Sequence, residues 1–484
     1  MKRVSVALLH CTSLLLFCAL CLSCGRRSAS LSSQQQPPVF PDYSGVTVPC
    51  NIAPLNLCVS GSAHQMRVIW RMDGKDLLVA EGTDHTDIAL SEWQGFLLKA
   101  KGKNVEVAVE IWNDSFPQGI AYQPFRLHVD DSAIDPYLTY RLIPPGYIGW
   151  NKMELAQRCL SSFEESVLVS NLQNGGGCLN CHTSCKGNPS QYLFHSRCKT
   201  GGTVISDRGR MVKKQISSPL TGRNAVYPAW HPAGRWIAFS TDDVHQSFYN
   251  HCRSKIEVYN NSGDLLLYDT RTERVVEDAR FVDTLNVKTF PAFSPDGKWL
   301  YFCTSKRYDV PFCSDSMHYS LVRVSFEAST GKLGEVVDTI YNARVCGGSA
   351  SLPRISPDGR WLLFTWAECN AFPIQHPESS LCLVDLKTYK VSEPPQLISS
   401  EADTYHSWSS NGRWIVFASR RKDGRVTRLY IAAFSNGQFG RPFLLPQRYP
   451  AEDVLRRYSY NVPELLEGKI KTDKDEMARL LQSP

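Results

Sequence analysis

The 484-residue chain is too long for one ordinary domain, and with 43% hydrophobic and 21% charged residues it can bury substantial cores. Its formal charge of +6 is spread along the sequence, with lysines and arginines isolated or flanking strands. That is the pattern of a solvated surface, and it excludes a nucleic-acid-binding stripe.

The chain opens with Lys2-Arg3 and a mostly apolar run, Val4 to Leu22, closing on Cys21-Leu22-Ser23-Cys24-Gly25. A charged start, an apolar segment and small residues before a cysteine suggest a bacterial lipoprotein signal over residues 1–24, with Cys24 as the acylated residue. An ordinary cleaved signal peptide and an uncleaved single span stay open as alternatives. All three export the remainder. The expected location is therefore the cell envelope or outer membrane, facing the periplasm, with a lipid anchor in the membrane. Residues 25–45 are polar, end in a Gln-Pro cluster and are read as a flexible tether.

Residues 46–130 change to short period-two runs. In Val105 to Trp112 apolar residues share one face and Glu106 and Glu110 the other; Gln65 to Trp70 and Phe125 to Val129 are similar. This pattern predicts a small β-sandwich.

Residues 131–220 read as a connecting or early-blade region, and the segment 175–200 within it carries the most distinctive chemistry. In Cys178-Leu179-Asn180-Cys181-His182, two thiols on one turn can each add to a haem vinyl group, and the next histidine can ligate the iron beneath the ring. Gly175-Gly176-Gly177 leaves the backbone free to approach the macrocycle. One covalent haem c is expected, with Cys178 and Cys181 as thioether anchors and His182 as proximal ligand. His195 is the candidate distal ligand. Met211 is the alternative, and would raise the reduction potential. Two other readings stay open: zinc held by Cys178, Cys181, Cys185 and Cys198, or disulfides among them. Setting aside the leader cysteines, Cys24 and the motif pair leaves an odd number of the 17 cysteines, so at least one is unpaired. Cys50 with Cys58, and Cys185 with Cys198, are spaced for local disulfides.

From 221 to 450 the chain repeats itself. Tyr227 to Ser240, Phe290 to Cys303, Leu352 to Thr365 and Tyr405 to Ala418 each place a tight turn (Gly234, Gly297, Gly359, Gly412) before a strand beginning with Trp236, Trp299, Trp361 or Trp414. One such sheet cannot bury both faces, whereas several packed around an axis can. The pattern resembles the TolB-like propeller repeats. That resemblance implies six or seven blades, the weaker ones drawn from Tyr137 to Leu220 and the tail. Residues 451–484 form a charged, helix-prone tail, read as a cap or docking segment. The combination of lipoprotein signal, Cys-x-x-Cys-His and TolB-like repeats is also similar to a family of Bacteroidetes envelope proteins. Asp135 to Gly146, Leu193 to Arg197 and Tyr458 to Pro463 support that likeness, which implies architecture more than activity.

The fold class expected is thus all-β: an N-terminal β-sandwich followed by a TolB-like propeller. There is no Gly-x-Ser-x-Gly elbow, no Gly-rich phosphate loop and no dinucleotide fingerprint, so nothing points to a hydrolase. His231, His245, His251 and His406 are read as turn or rim residues. The function these readings imply is a membrane-anchored periplasmic c-type haem protein, acting in electron transfer or redox-dependent binding of an envelope partner. The alternative is a non-redox scaffold for envelope proteins or glycans, with structural cysteines.

Overall fold

The turn that marks each repeat is built by its own side chains. Ser294 Oγ donates to Asp296 Oδ1 at 2.6 Å and accepts from the Trp299 amide at 3.0 Å, while Gly297 takes φ 71°. Ser356, Asp358 and Trp361 repeat these bonds, as do Ser409, Asn411 and Trp414. The first copy has His231 in the serine's place, its Nδ1 accepting from the Ala233 amide at 3.1 Å. Short polar side chains that bond nearby amides favour a turn over a continued strand. Each copy therefore folds as a hairpin whose second strand starts at the tryptophan.

The computed structural model describes residues 28–143, 152–248, 256–455 and 458–483, apart from the side chains of 453 and 454. The leader and the lipidation candidate Cys24 lie outside the described residues. The hairpins grow into antiparallel sheets arranged as six blades. Blades 3 to 6 begin with the innermost strands Val226–Trp230, Asn286–Phe293, Ser349–Ile355 and Asp403–Trp408. Blade 2 begins with Cys178–Ser184 and continues through Gln191–Arg197, Gly202–Asp207 and Arg210–Lys214.

Blade 1 is assembled from both ends of the propeller. Tyr137–Ile143, Glu154–Cys159 and Glu165–Ser170 supply three strands, and Ser459–Leu466 pairs antiparallel to Tyr137–Ile143 as the innermost fourth. Each innermost strand lies against the next, and that of blade 1 touches both blade 6 and blade 2, so the ring closes. The region expected to be a charged tail is therefore partly a central strand: Tyr460, Leu465 and Leu466 are buried in it. Beyond it the helix Lys474–Gln482 docks Met477 and Leu481 into the core between blades 1 and 2.

Apolar clusters fill every gap between neighbouring blades. This is the burial that a single two-faced sheet cannot achieve alone. The N-terminal region differs from expectation. Instead of two facing sheets, residues 31–129 form one seven-stranded sheet with the helix Leu90–Ala100 packed on it, plus a two-stranded ribbon. Trp93 and Phe96 of that helix pack against Trp70, and the same cluster runs into Trp414, Val416 and Ile431 of blade 6. The helix and the blade thus cover apolar surface that a second sheet was expected to cover. The segment read as a tether also joins this domain from residue 31. Leu31–Ser32 pairs with Ile120–Ala121, and Tyr43 is fully buried.

Candidate functional site

In every blade the innermost strand carries a bulge, and in every bulge one residue has positive φ. These residues are Cys181, Tyr227, Phe290, Leu352, Tyr405 and Val462, with φ between 33° and 54°. None is glycine, and such backbone is strained for a side chain of this size, costing on the order of 1–3 kcal/mol each. A bulge re-aims the chain so that consecutive residues need not alternate between faces. All six side chains line one chamber in the central channel, of about 300 Å³.

The residue after each bulge is proline in four blades (Pro228, Pro291, Pro353, Pro463) and histidine in two, His182 and His406. The Cys-x-x-Cys-His segment therefore lies on a bulged strand, not on the helical turn that its spacing suggested. The bulge still brings Cys178, Cys181 and His182 to the same chamber. Both cysteines are free thiols, and burial raises their pKa values. Burial, with the Arg141 charge adding, pushes His182 down to about 3, so its imidazole is neutral. Neither of its ring nitrogens makes a well-formed hydrogen bond, although the backbone of Val462 and Thr139 lies beside the ring.

The other predicted site residues fall elsewhere. His195 pairs across the blade with Asn180, is buried, and has its Nδ1 3.2 Å from Thr203 Oγ1; it does not line the chamber. Burial holds it down at about 4. Met211 lies on the outermost strand of blade 2, where Tyr192 Oη reaches its sulfur at 3.9 Å. The structure thus brings neither distal candidate to His182. Cys185 points toward the His231 and Pro232 carbonyls of blade 3, and Cys198 sits in the hairpin beside Ser196 and Thr200. Both are free, as are Cys50, beside the Asp131 carbonyl, and Cys58, in the two-stranded ribbon. The two local pairings expected are thus not joined in the structure. Among the described residues no three Cys, His, Asp or Glu side chains gather as a metal-binding group, so the four-cysteine zinc set is not assembled. His231 is the turn residue expected, though buried, and His406 lies on an innermost strand and is buried, not at the rim.

Sequence reading did not single out the rest of the chamber. Its walls include Tyr227, Phe290 and Phe372, with ring centroids 4.8–5.8 Å apart. Val244 and Val258, from a hairpin inserted in blade 3 (Asp243–Phe248 with Ile256–Ser262), and Ile374 of a blade-5 loop complete the apolar lining. Arg141, Arg197 and Arg354 are its charged residues. Arg354 also reaches a second chamber of about 380 Å³ on the other side of the waist. There Glu464 accepts from Thr183 Oγ1 and the Ser184 amide, both at 2.9 Å, and burial pushes its carboxyl up to about 7.

No protein-family model and no curated protein matches the chain. Among solved structures, a puromycin-hydrolysing peptidase of Mycobacterium tuberculosis is 12% identical, with TM-score 0.36, over 72% of this chain and 52% of the peptidase. The periplasmic gluconolactonase of Pseudomonas aeruginosa is 13% identical, with TM-score 0.35, over 64% of this chain and all of that one. The propeller domain of the trilobed protease from Pyrococcus furiosus is 10% identical, with TM-score 0.36, over 72% and 88%. The chain spans about half the length of the first of these peptidases. By its own sheet order, the chain is a nearly all-β protein whose main body is a six-bladed propeller.

Proposed function

We propose that the chain is an exported propeller that carries one haem in its channel chamber and acts in redox-dependent binding of an envelope partner. Cys178 and Cys181 would hold the porphyrin and His182 the iron, with Cys24 anchoring the chain at the membrane. The observation that carries the reading is the contrast between two equivalent histidines. His406 Nε2 lies 2.9 Å from the Leu363 carbonyl, whereas the two buried nitrogens of His182 make no well-formed hydrogen bond in a cavity lined by both motif thiols. A buried polar group without a partner is costly unless a ligand meets it. The apolar aromatic walls suit a macrocycle, and the three arginines suit its carboxylates.

When bound, haem supplies one-electron chemistry and an iron with exchangeable coordination. The chain's own part would be to present a neutral imidazole and to exclude water with apolar walls. Among the described residues His182 is the only histidine lining the chamber, and no methionine does. A second reading, the non-redox scaffold, is favoured by the bulge itself: Cys181-His182 fills the place that residue-Pro pairs fill in four blades, and that place needs no cofactor.

The test is the pyridine haemochrome spectrum and intact mass of protein from haem-competent cells, beside the C178A/C181A variant. Haem-stained wild type and unstained variant are expected. A wild-type mass equal to the processed polypeptide and its lipid alone overturns the haem reading and leaves the scaffold.

A further inference from the structure

The chamber is charged with one sign only. Arg141, Arg197 and Arg354 line it, and among the described residues no aspartate or glutamate does. Among the described residues Arg197 and Arg354 make no side-chain hydrogen bond or ion pair. Arg141 makes one long bond, from Nη1 to the Leu179 carbonyl at 3.5 Å, and its buried Nε has no partner. The nearest counter-charges are engaged elsewhere. Asp242, behind Arg197, accepts from Thr289 Oγ1 at 2.5 Å and Asn260 Nδ2 at 3.0 Å; Glu464, near Arg354, accepts from Thr183 and Ser184. Burial pushes both carboxyls up to about 7, so near neutral pH neither is a full negative charge.

Guanidinium groups on an apolar wall, whose neighbouring carboxylates are held by hydroxyl, amide and carboxamide donors, leave N–H donors for an anion or water to meet. Planar forks of donors match carboxylates two bonds at a time. The opposite wall is the aromatic group of Tyr227, Phe290 and Phe372, and the volume falls at the small end of ligand pockets. We infer that the chamber is a binding site for an organic acid, its carboxylate on Arg141, Arg197 and Arg354 and its apolar body against the aromatic wall. The inference stands without the haem. Haem propionates and a free organic acid offer the same chemistry, and the experiment separates them.

Dodecanoate is titrated calorimetrically into the full-length wild type and into the C178A/C181A variant, which has no attachment thiols, with acetate and inorganic phosphate as controls. The variant is expected to bind one dodecanoate per chain, and acetate and phosphate much more weakly. R354Q in that background is expected to weaken binding by about tenfold to a hundredfold, the loss of a charged hydrogen-bond pair. R197Q guards against misfolding, since Arg197 is solvent-exposed at the chamber edge, and is expected to weaken binding in the same direction. A haem-loaded wild type that excludes dodecanoate assigns the arginines to the propionates. Binding to both proteins assigns them to a free acid, whether or not haem is present. No saturable binding to the variant, or binding unchanged by R354Q and R197Q, overturns the inference.

Discussion

Glu257 and His376 meet across the channel mouth, His376 Nε2 3.1 Å from a Glu257 carboxylate oxygen, with 119 positions of sequence between them. Glu257 belongs to the hairpin inserted in blade 3 and His376 to the blade-5 loop, the two segments that roof the chamber. Glu378 holds the other ring nitrogen at 2.8 Å, and Asn370 Nδ2 donates to Glu257 at 2.8 Å.

Burial works against a charge on His376, but the hydrogen bonds and charges of Glu257 and Glu378 outweigh it and raise its pKa to about 10. Because the folded value lies above the unfolded one, this stabilisation is fully present below about pH 6.5 and is lost as pH rises toward about 10. H376A is expected to cost about 3–5 kcal/mol, as for breaking a buried ion pair. The stability gap between wild type and H376A in urea should narrow from pH 7 to 10. A gap that stays constant over that range contradicts the latch.

The two histidines after the bulges should respond unequally. H406A removes a buried donor and leaves the Leu363 carbonyl unpaired, for a loss of about 1–3 kcal/mol. H182A in haem-free protein breaks no well-formed hydrogen bond and should cost less than H406A, the loss being that of a packed ring alone. Chemical denaturation of the two variants decides it. A large loss for H182A would show that the imidazole is a structural element after all.

Truncation should separate the two parts of the C-terminal segment. A chain ending at Thr472 keeps the strand Ser459–Leu466 and loses the helix bearing Met477 and Leu481; burial of two such side chains is worth roughly 3–6 kcal/mol. A chain ending at Tyr458 loses the innermost strand of blade 1 and opens the ring, and is expected to have no cooperative unfolding transition. Similar melting curves for the two chains would contradict the closure.

The N-terminal domain and blade 6 share one core. Arg413 Nε donates to Asp130 Oδ2 at 3.0 Å, and Ser410 N donates to Asp135 at 2.8 Å beside the buried Trp414. A chain starting at residue 131 exposes Trp414, Val416 and Ile431 together and is expected to aggregate on size exclusion. A monomeric product with unchanged melting would show the domains to be independent.

Local chemistry was legible in the chain itself. The glycine turns before Trp236, Trp299, Trp361 and Trp414 announce four blades because their hydrogen bonds span only a few residues, from Ser294 to Trp299 for example. Cys178, Cys181 and His182 stand out by residue type. Whether they sit on a helix or a strand does not, because the proline that marks the bulge elsewhere is replaced here by His182. Blade 1 is hidden because Leu138 finds its partner at Leu465. The chamber was invisible for the same reason. Arg141, Arg197 and Arg354 come from blades 1, 2 and 5, and only closure around an axis sets them on one cavity with the rings of Tyr227 and Phe290. Turn preference and strand alternation act over a few residues and are written in the order of the chain; radial packing joins residues with no fixed spacing, so only the folded ring decides which side chains face each other.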